Sequence, residues 1–359
     1  YTGDVTLIAD SRVGTATGRD QLTLSGAITG ANRQLEKVGA GTVILGNASN
    51  TYSGGTTISA GTLRTSVASV LPDDQAVGVG TGGTLDVNDH NQSIGTLTGD
   101  GTVTLGAGTL TVGDGDFGGH IGGTGGLNKT SIGTLTLSNS NTYTGGTTIQ
   151  QGTLSARHAQ ALNQGKVTVS DGATLNIDGV TLSLANGLDL SGAGAGGAGA
   201  LTGTGTAAYT GGVTLIADSR VGAATTSDQL TLSGIIAGAT RKLEKTGAGK
   251  VTLSAANTYT GGTTIQEGTL STQHAQALNT GKVEVANGAT LNIDGVTLAL
   301  SNGLDLSGDG VGGVGALTGT GTAAYTGGVT LVADSRVGAA TTSDQLTLSG
   351  AITGANRLE

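Results

Sequence analysis

The sequence predicts an all-β protein, a parallel β-helix (β-solenoid) in which short strands wind into coils stacked as a single elongated rod. Three observations predict it: few bulky side chains, short runs of alternating apolar and polar residues, and internal repeats. Among 359 residues there are 69 glycines, one proline, one phenylalanine and no tryptophan, methionine or cysteine. The core must therefore be built from small aliphatic side chains.

The alternating runs predict the strands. In "GKVTVSDGATLNIDGVTLSL", residues 165–184, apolar residues occupy every second position of each run and therefore share one face of a strand: Val167, Val169, Leu175, Ile177, Leu182 and Leu184. Glycine with Asp or Asn separates the runs, as turn residues do. Because no long helical period occurs, we expect the chain to be almost entirely β.

Internal repeats predict one continuous solenoid over residues 1–359. Residues 127–242 recur as residues 243–359, so that Tyr143 and Tyr259 occupy equivalent positions. Residues 1–63 match residues 209–270 with one inserted residue near Asn47, while residues 64–126 diverge but keep the same short runs and turns. Repeats of this kind indicate units that bury their apolar faces against one another.

Differences between the two long copies separate inward from outward positions. Gln151 becomes Glu267 and Arg157 becomes Gln273. The aliphatic residues of the strand runs recur unchanged, so we expect the variable positions to face solvent. With roughly 20 to 25 residues per coil, the chain makes about 14 to 18 coils and a rod roughly 65 to 90 Å long.

The charge and the missing cysteine exclude several classes of protein. A formal net charge of −9 offers no basic patch for nucleic acid or for an anionic membrane. No apolar run approaches the roughly 20 residues of a membrane span, and the first residues show no signal-peptide pattern. The absence of cysteine removes disulfides and thiolate chemistry. We therefore expect a soluble piece of a longer protein.

The segment "LEKTGAGKVTLSAANTYTGGTTIQEGTL", residues 243–270, resembles the autotransporter-associated β-strand repeat of passenger regions in Gram-negative type V secreted proteins. Copies occur at residues 35–63 and 127–154, the latter with Asn128 and Ser131 where the others have Glu and Gly. The resemblance implies a right-handed parallel β-helix, exported to the bacterial cell surface through an outer-membrane barrel of the parent chain. It also implies a repeat that assists folding and secretion, and it brings no catalytic residues.

The tyrosines are the first candidate for a binding site. Each precedes Thr or Ser and then glycine, and three of them lie in the repeat: Tyr52, Tyr143 and Tyr259. Aromatic rings on a surface stack on sugar faces, which would make these residues a glycan platform. The alternative is structural, because a ring can also fill the space left by a glycine corner. The spacing of the tyrosines is irregular and favours the structural interpretation.

A second candidate is "VGDGDFGGHIGG", residues 112–123, where Asp114 and Asp116 lie in a glycine-rich segment. Carboxylates one residue apart in a turn can share Ca²⁺. The alternative is an ordinary turn. Among the histidines, His90 near Asp86 and Asp89 is the best acid–base candidate, but no nucleophile accompanies it. The duplicated His158 and His274 are more economically explained as corner residues.

These features predict a noncatalytic stalk or adhesin segment that mediates adhesion or self-association at the cell surface. We expect no catalytic residues, cofactor or metal, and partners that are surface or matrix receptors, glycans or further copies of the chain. The alternative is a β-helical polysaccharide-acting enzyme or glycan-binding module. Such an enzyme would need a cleft lined by acids, bases and aromatic residues, whereas here 16 basic residues are scattered and aromatic residues are few.

Overall fold

A computed structural model describes residues 1–162 and 165–359 of the chain. Contacts divide it into two compact units, Tyr1–Val167 with Leu184–Asn186, and Thr168–Ser183 with Gly187–Glu359. Over the described residues the regular structure is β-strand, apart from two 3₁₀ turns at Ala195–Gly197 and Val311–Gly313. The all-β prediction is confirmed. No helix in the described part of the chain is long and apolar enough to cross a membrane.

The strands are short because glycine and polar residues interrupt each run. The first unit contains β1 (Val5–Thr6), β2 (Ser11–Gly14), β3 (Gln21–Leu24), β4 (Ile28–Thr29), β5 (Leu35–Val38), β6 (Thr42–Leu45), β7 (Thr56–Thr65), β8 (Val77–Asp86), β9 (Gln92–Thr98), β10 (Thr102–Thr104), β11 (Leu110–Phe117), β12 (His120–Gly122), β13 (Leu127–Lys129), β14 (Thr134–Leu137), β15 (Thr147–Ile149) and β16 (Gly152–Ala156).

Strand β17 (Val167–Val169) begins at Val167, where the segment Tyr1–Val167 of the first unit ends, and its other two residues belong to the second unit. The strands that follow it belong to the second unit, apart from Leu184–Asn186: β18 (Ala173–Asp178), β19 (Thr181–Leu182), β20 (Leu188–Gly192), β21 (Leu201–Thr204), β22 (Thr206–Tyr209), β23 (Val213–Ala223), β24 (Gln229–Leu232), β25 (Ile236–Ala237), β26 (Leu243–Thr246), β27 (Lys250–Leu253), β28 (Thr263–Ile265), β29 (Thr269–Thr272), β30 (Val283–Val285), β31 (Thr290–Asp294), β32 (Thr297–Leu298), β33 (Leu304–Gly308), β34 (Leu317–Thr320), β35 (Thr322–Tyr325), β36 (Val329–Ser335), β37 (Val337–Ala339), β38 (Gln345–Leu348) and β39 (Ile352–Thr353).

Parallel pairing between successive coils builds each unit. The register advances by 17 residues from Leu110 to Leu127 and by 27 residues from Leu182 to Tyr209. The longer coil includes the 3₁₀ turn at Ala195–Gly197, which explains why coil length varies more than the predicted 20 to 25 residues. The described residues make a solenoid of about 17 turns, as predicted. Continuity from residue 1 to residue 359 stays a prediction.

Columns of small aliphatic side chains form the interior. In the first unit the register stacks Val43, Leu63, Leu85, Val103 and Ile121, all without exposed surface. In the second unit it stacks Leu230, Val251, Leu270, Leu291 and Leu317 in the same way. Each buried side chain of this size contributes about 1.5 to 3 kcal/mol. The predicted inward residues of 165–184 are at most 2% exposed, whereas Gln151, Arg157, Glu267 and Gln273 are exposed.

Candidate functional site

Each copy of the repeat buries a lysine on the inward face of a strand. Lys37, Lys129 and Lys245 have no exposed surface. Each lies between apolar residues of the coils before and after it. Lys245, for example, lies in register with Val221 and Ile265. Because lysine is almost never fully buried without partners, its ammonium group needs acceptors inside the coil.

Backbone carbonyls at two successive corners supply those acceptors. The Nζ of Lys245 donates to the carbonyls of Thr246 (3.1 Å), Gly247 (2.5 Å) and, one coil on, Glu267 (2.8 Å). Lys37 and Lys129 make the same kind of contact with their own corner and the next: Val38, Gly39 and Ala60 for Lys37, and Ser131 and Gln151 for Lys129. One ammonium group therefore joins two coils.

Burial changes the protonation equilibrium of these lysines. It lowers the pKa of Lys129 and of Lys245 to about 8, against the opposing effect of Asp114 on Lys129 and of Glu267 on Lys245. Burial also lowers the pKa of Lys37. Near neutral pH Lys129 and Lys245 remain mainly ammonium groups, which is the form that offers three donors to the carbonyls.

The glycine of the repeated "GTL" is required by the same corner. Gly268 has a φ of +64°, and a Cβ atom there would lie 2.4 Å from the carbonyl oxygen of Gly247 and 2.5 Å from that of Gly249. Gly61 and Gly152 are crowded by carbonyls of the preceding coil in the same way. Any side chain would therefore push apart the corners that the lysine holds together.

A buried asparagine links three successive coils. The Oδ1 of Asn257 accepts the amide N–H of Ile236 at 2.8 Å, and its Nδ2 donates to the carbonyl of Ala277 at 2.6 Å. Asn50 and Asn141 have equivalent partners on both sides: Ile28 and Val70 for Asn50, and Ile121 and Ala161 for Asn141. The asparagine thus satisfies backbone groups where the strand ladder is interrupted.

The tyrosines fill the interior. Tyr52, Tyr143 and Tyr259 have no exposed surface, so they have no ring face to offer a sugar, and the glycan-platform interpretation does not fit them. Each hydroxyl group shares a hydrogen bond with the buried threonine four residues on: Thr56 (2.8 Å), Thr147 (2.7 Å) and Thr263 (2.7 Å). Burial raises the pKa of Tyr52 to about 12 and raises those of Tyr143 and Tyr259 as well.

We call the set Lys245, Asn257, Tyr259, Thr263 and Gly268, with its counterparts in the other two copies, the inter-coil clamp. Sequence reasoning missed the lysine and the asparagine because both are usually exposed. The available signal was their recurrence in all three copies, whereas the polar residue before the lysine varies between Glu and Asn.

Asp114 and Asp116 lie in strand β11, not in the turn expected from the glycines. Asp114 is partly buried, and its carboxylate accepts the hydroxyl groups of Thr96 (2.9 Å) and Ser131 (3.4 Å), while Asp116 is exposed. In the part of the chain that the structure describes, no group of three or more metal-ligating side chains could hold an ion. Through these two hydrogen bonds the Asp114 carboxylate links its own coil to the coils before and after it.

The histidines bind backbone groups. The Nδ1 of His90 lies 2.7 Å from the carbonyl of Asn88. Its acidic neighbours are also engaged, because Asp86 pairs with Arg64 and Asp89 accepts the amide of Ala107. His158 and His274 each accept a backbone N–H two residues on, at 3.1 Å, in a corner. His90, Asp86 and Asp89 thus each make a hydrogen bond that holds the local structure.

The clamp residues lie in segments that match the model of a known repeat family. The passenger-associated transport repeat matches residues 35–64, 127–156 and 243–271. Over 309 residues, or 83% of this chain, the sequence is 36% identical to the adhesin BmaC autotransporter of Brucella suis biovar 1 (strain 1330). The match spans 8% of that protein's length. No solved structure gives a significant match.

The chain is thus a parallel β-solenoid that carries three copies of this repeat. The matches support the chain as an autotransporter passenger segment with passenger-associated transport repeats, which confirms the resemblance found in the sequence.

Proposed function

We propose that the chain is a noncatalytic passenger segment that takes part in adhesion or self-association at the bacterial surface. The observation that carries this proposal is that the buried polar side chains of the described residues are hydrogen-bonded within the chain. Among the described residues, no buried side-chain nitrogen or oxygen lacks a partner. Contacts with other molecules must therefore come from outward side chains, repeated over many turns.

The comparison supports the same conclusion. The related protein bears the name of an adhesin, which supports a binding role over catalysis. The partners we propose are surface or matrix receptors, glycans or other copies of the chain, and the proposed location is outside the cell. The engagement of His90, Asp86 and Asp89 in structural hydrogen bonds gives no support to a polysaccharide-acting enzyme.

The test displays residues 1–359 on a non-adherent bacterium and measures attachment to epithelial cells and the rate of settling. We expect attachment or settling well above that of bacteria displaying an unrelated β-solenoid of similar turn number at the same density. The unrelated solenoid controls for the effect of a long projection alone. Values equal to that control in both measurements would refute the proposal and leave the segment as a spacer.

A further inference from the structure

A charged groove recurs on the outer surface, outside the inter-coil clamp. The segment "IADSR" of residues 8–12 recurs unchanged at residues 216–220 and, as "VADSR", at residues 332–336. In each copy the arginine forms an ion pair with a glutamate one coil on: Arg12 with Glu36 (2.7 Å), Arg220 with Glu244 (2.6 Å) and Arg336 with Glu359 (2.8 Å).

The aspartate of each groove is fixed by the next coil. The Oδ1 of Asp218 accepts the backbone N–H of Lys242 at 2.9 Å, and Asp10 and Asp334 accept equivalent amides from Gln34 and Arg357. The second carboxylate oxygen of Asp218 remains available at the surface. Carboxylate acceptors and guanidinium donors are thus held side by side.

Two of these grooves enclose recesses. Asp218, Arg220, Lys242, Glu244 and Thr264 line a recess of about 170 Å³. The equivalent residues of the first unit line one of about 310 Å³: Asp10, Ser11, Arg12, Gln34 and Glu36. An aliphatic side chain two positions before each aspartate is exposed: Ile8 (85%), Ile216 (49%) and Val332 (56%).

Other exposed positions also recur, such as Thr6, Thr214 and Thr330, whereas some differ. Arg19 of the first copy, for example, corresponds to Ser227 of the second. The exposed Ile8, Asp10 and Arg12 have counterparts of the same type in every copy. An exposed isoleucine contributes little to folding, so this side chain, four residues before the paired arginine, is available for a contact outside the protein.

We propose that the charged groove is a saccharide-binding subsite, which rests on the proposed adhesive function. Sugar hydroxyl groups both donate and accept, and so match neighbouring carboxylates and guanidinium groups, while the aliphatic residue covers the C–H face of the ring. The near balance of charge around Asp218, Arg220, Lys242 and Glu244 favours a neutral sugar over a polyanion. A protein partner would need a contact of about 1,000 Å² or more, which small separate recesses do not provide.

Two of the grooves lie in the second unit. The register from Ser219 runs through Leu243, Thr263, Val283 and Leu304 to Val329, six residues before Ser335, so the two grooves are five coils apart and displaced around the coil. At about 4.8 Å per coil the rise between them along the axis is about 24 Å.

The first experiment measures saturation-transfer NMR with maltohexaose and cellohexaose as neutral probes and a hyaluronan hexasaccharide as an acidic probe. We expect transfer to ring protons of a neutral probe. The triple variant Asp10→Asn, Asp218→Asn, Asp334→Asn keeps an oxygen for the backbone N–H, so its thermal midpoint should stay unchanged while Kd rises at least about tenfold. The triple variant Ile8→Ala, Ile216→Ala, Val332→Ala should weaken binding too.

Matched controls are Asp73→Asn and Ile132→Ala, which alter exposed residues outside the grooves. Both should bind as the parent chain does. The proposal is overturned if no neutral probe receives saturation, or if the triple variants bind unchanged.

A second experiment separates this proposal from the adhesive function, using displayed segments and target cells with or without periodate oxidation of their vicinal diols. Adhesion lost both in the aspartate variant and after periodate supports the subsite. Adhesion lost in the variant but insensitive to periodate means a protein partner and overturns it. Adhesion unchanged in the variant also overturns the subsite but leaves the adhesive function standing. A parent chain that neither adheres nor settles above its control refutes the adhesive function alone. In that case the NMR experiment decides whether the subsite binds sugar.

Discussion

At the residue scale, the buried lysine of each clamp is the side chain whose ammonium group links the backbone carbonyls of two successive corners. Lys245→Met keeps the length of the side chain but leaves the carbonyls of Gly247 and Glu267 enclosed without a donor. We expect the free energy of unfolding of the second unit to fall by about 2 to 3 kcal/mol. Urea unfolding followed by circular dichroism measures it. Lys242→Met, at an exposed lysine, is the control, and an equal shift in both variants would contradict a clamp.

The corner glycine gives a second prediction, in which backbone strain and crowding can be separated. Gly268 and Gly295 have φ values of +64° and +67°, but a Cβ atom at Gly295 meets nothing within 4 Å. Gly295→Ala should therefore cost only the strain of a left-handed residue, about 1 to 2 kcal/mol. Gly268→Ala should cost clearly more, because its Cβ atom collides with two carbonyl oxygens. Thermal midpoints of the two variants give the comparison, and similar losses would rule out the crowding.

At the scale of the elements, the asparagine should protect a backbone amide of the preceding coil from hydrogen exchange. Asn257→Ala leaves the buried N–H of Ile236 without its acceptor. A loss of about 2 kcal/mol corresponds to about 30-fold faster exchange of that amide. Hydrogen exchange read by NMR at Ile236 checks this, with Asn287→Ala at an exposed corner as the control. Unchanged exchange at Ile236 would mean that the strand ladder alone protects it.

The elements also show what sequence reasoning can and cannot reach. The period-two alternation of Val167 and Val169 is local, so their inward orientation was predictable and is confirmed. The burial of Lys245 depends on the carbonyl of Glu267, which lies 22 residues away and acquires its position only when the coils stack. The partners of Asp114 likewise come from neighbouring coils, so its role could not be read from its glycine-rich surroundings.

For the whole molecule, the clamps predict a stability that rises and then falls in the alkaline range. Between about pH 8 and pH 10.4, the unfolded chain keeps protons on Lys129 and Lys245 that the folded chain has lost, because burial lowers the pKa of each to about 8. Stability rises with pH wherever the unfolded state binds more protons. The midpoint of thermal unfolding should therefore rise by about 5 °C from pH 7.5 to pH 9.5.

Above about pH 10 the tyrosines reverse this trend. Burial raises the pKa of Tyr52 and of Tyr325 to about 12, and it also raises those of Tyr143, Tyr209 and Tyr259. An unfolded tyrosine loses its proton near pH 10 while the folded one keeps it, so the folded state now binds more protons and stability falls. We expect the midpoint to drop by about 10 °C between pH 10 and pH 11. Tyrosinate absorbance at 295 nm should appear together with the loss of the β-sheet circular dichroism signal, and ionisation of these five residues in a folded chain would contradict their burial.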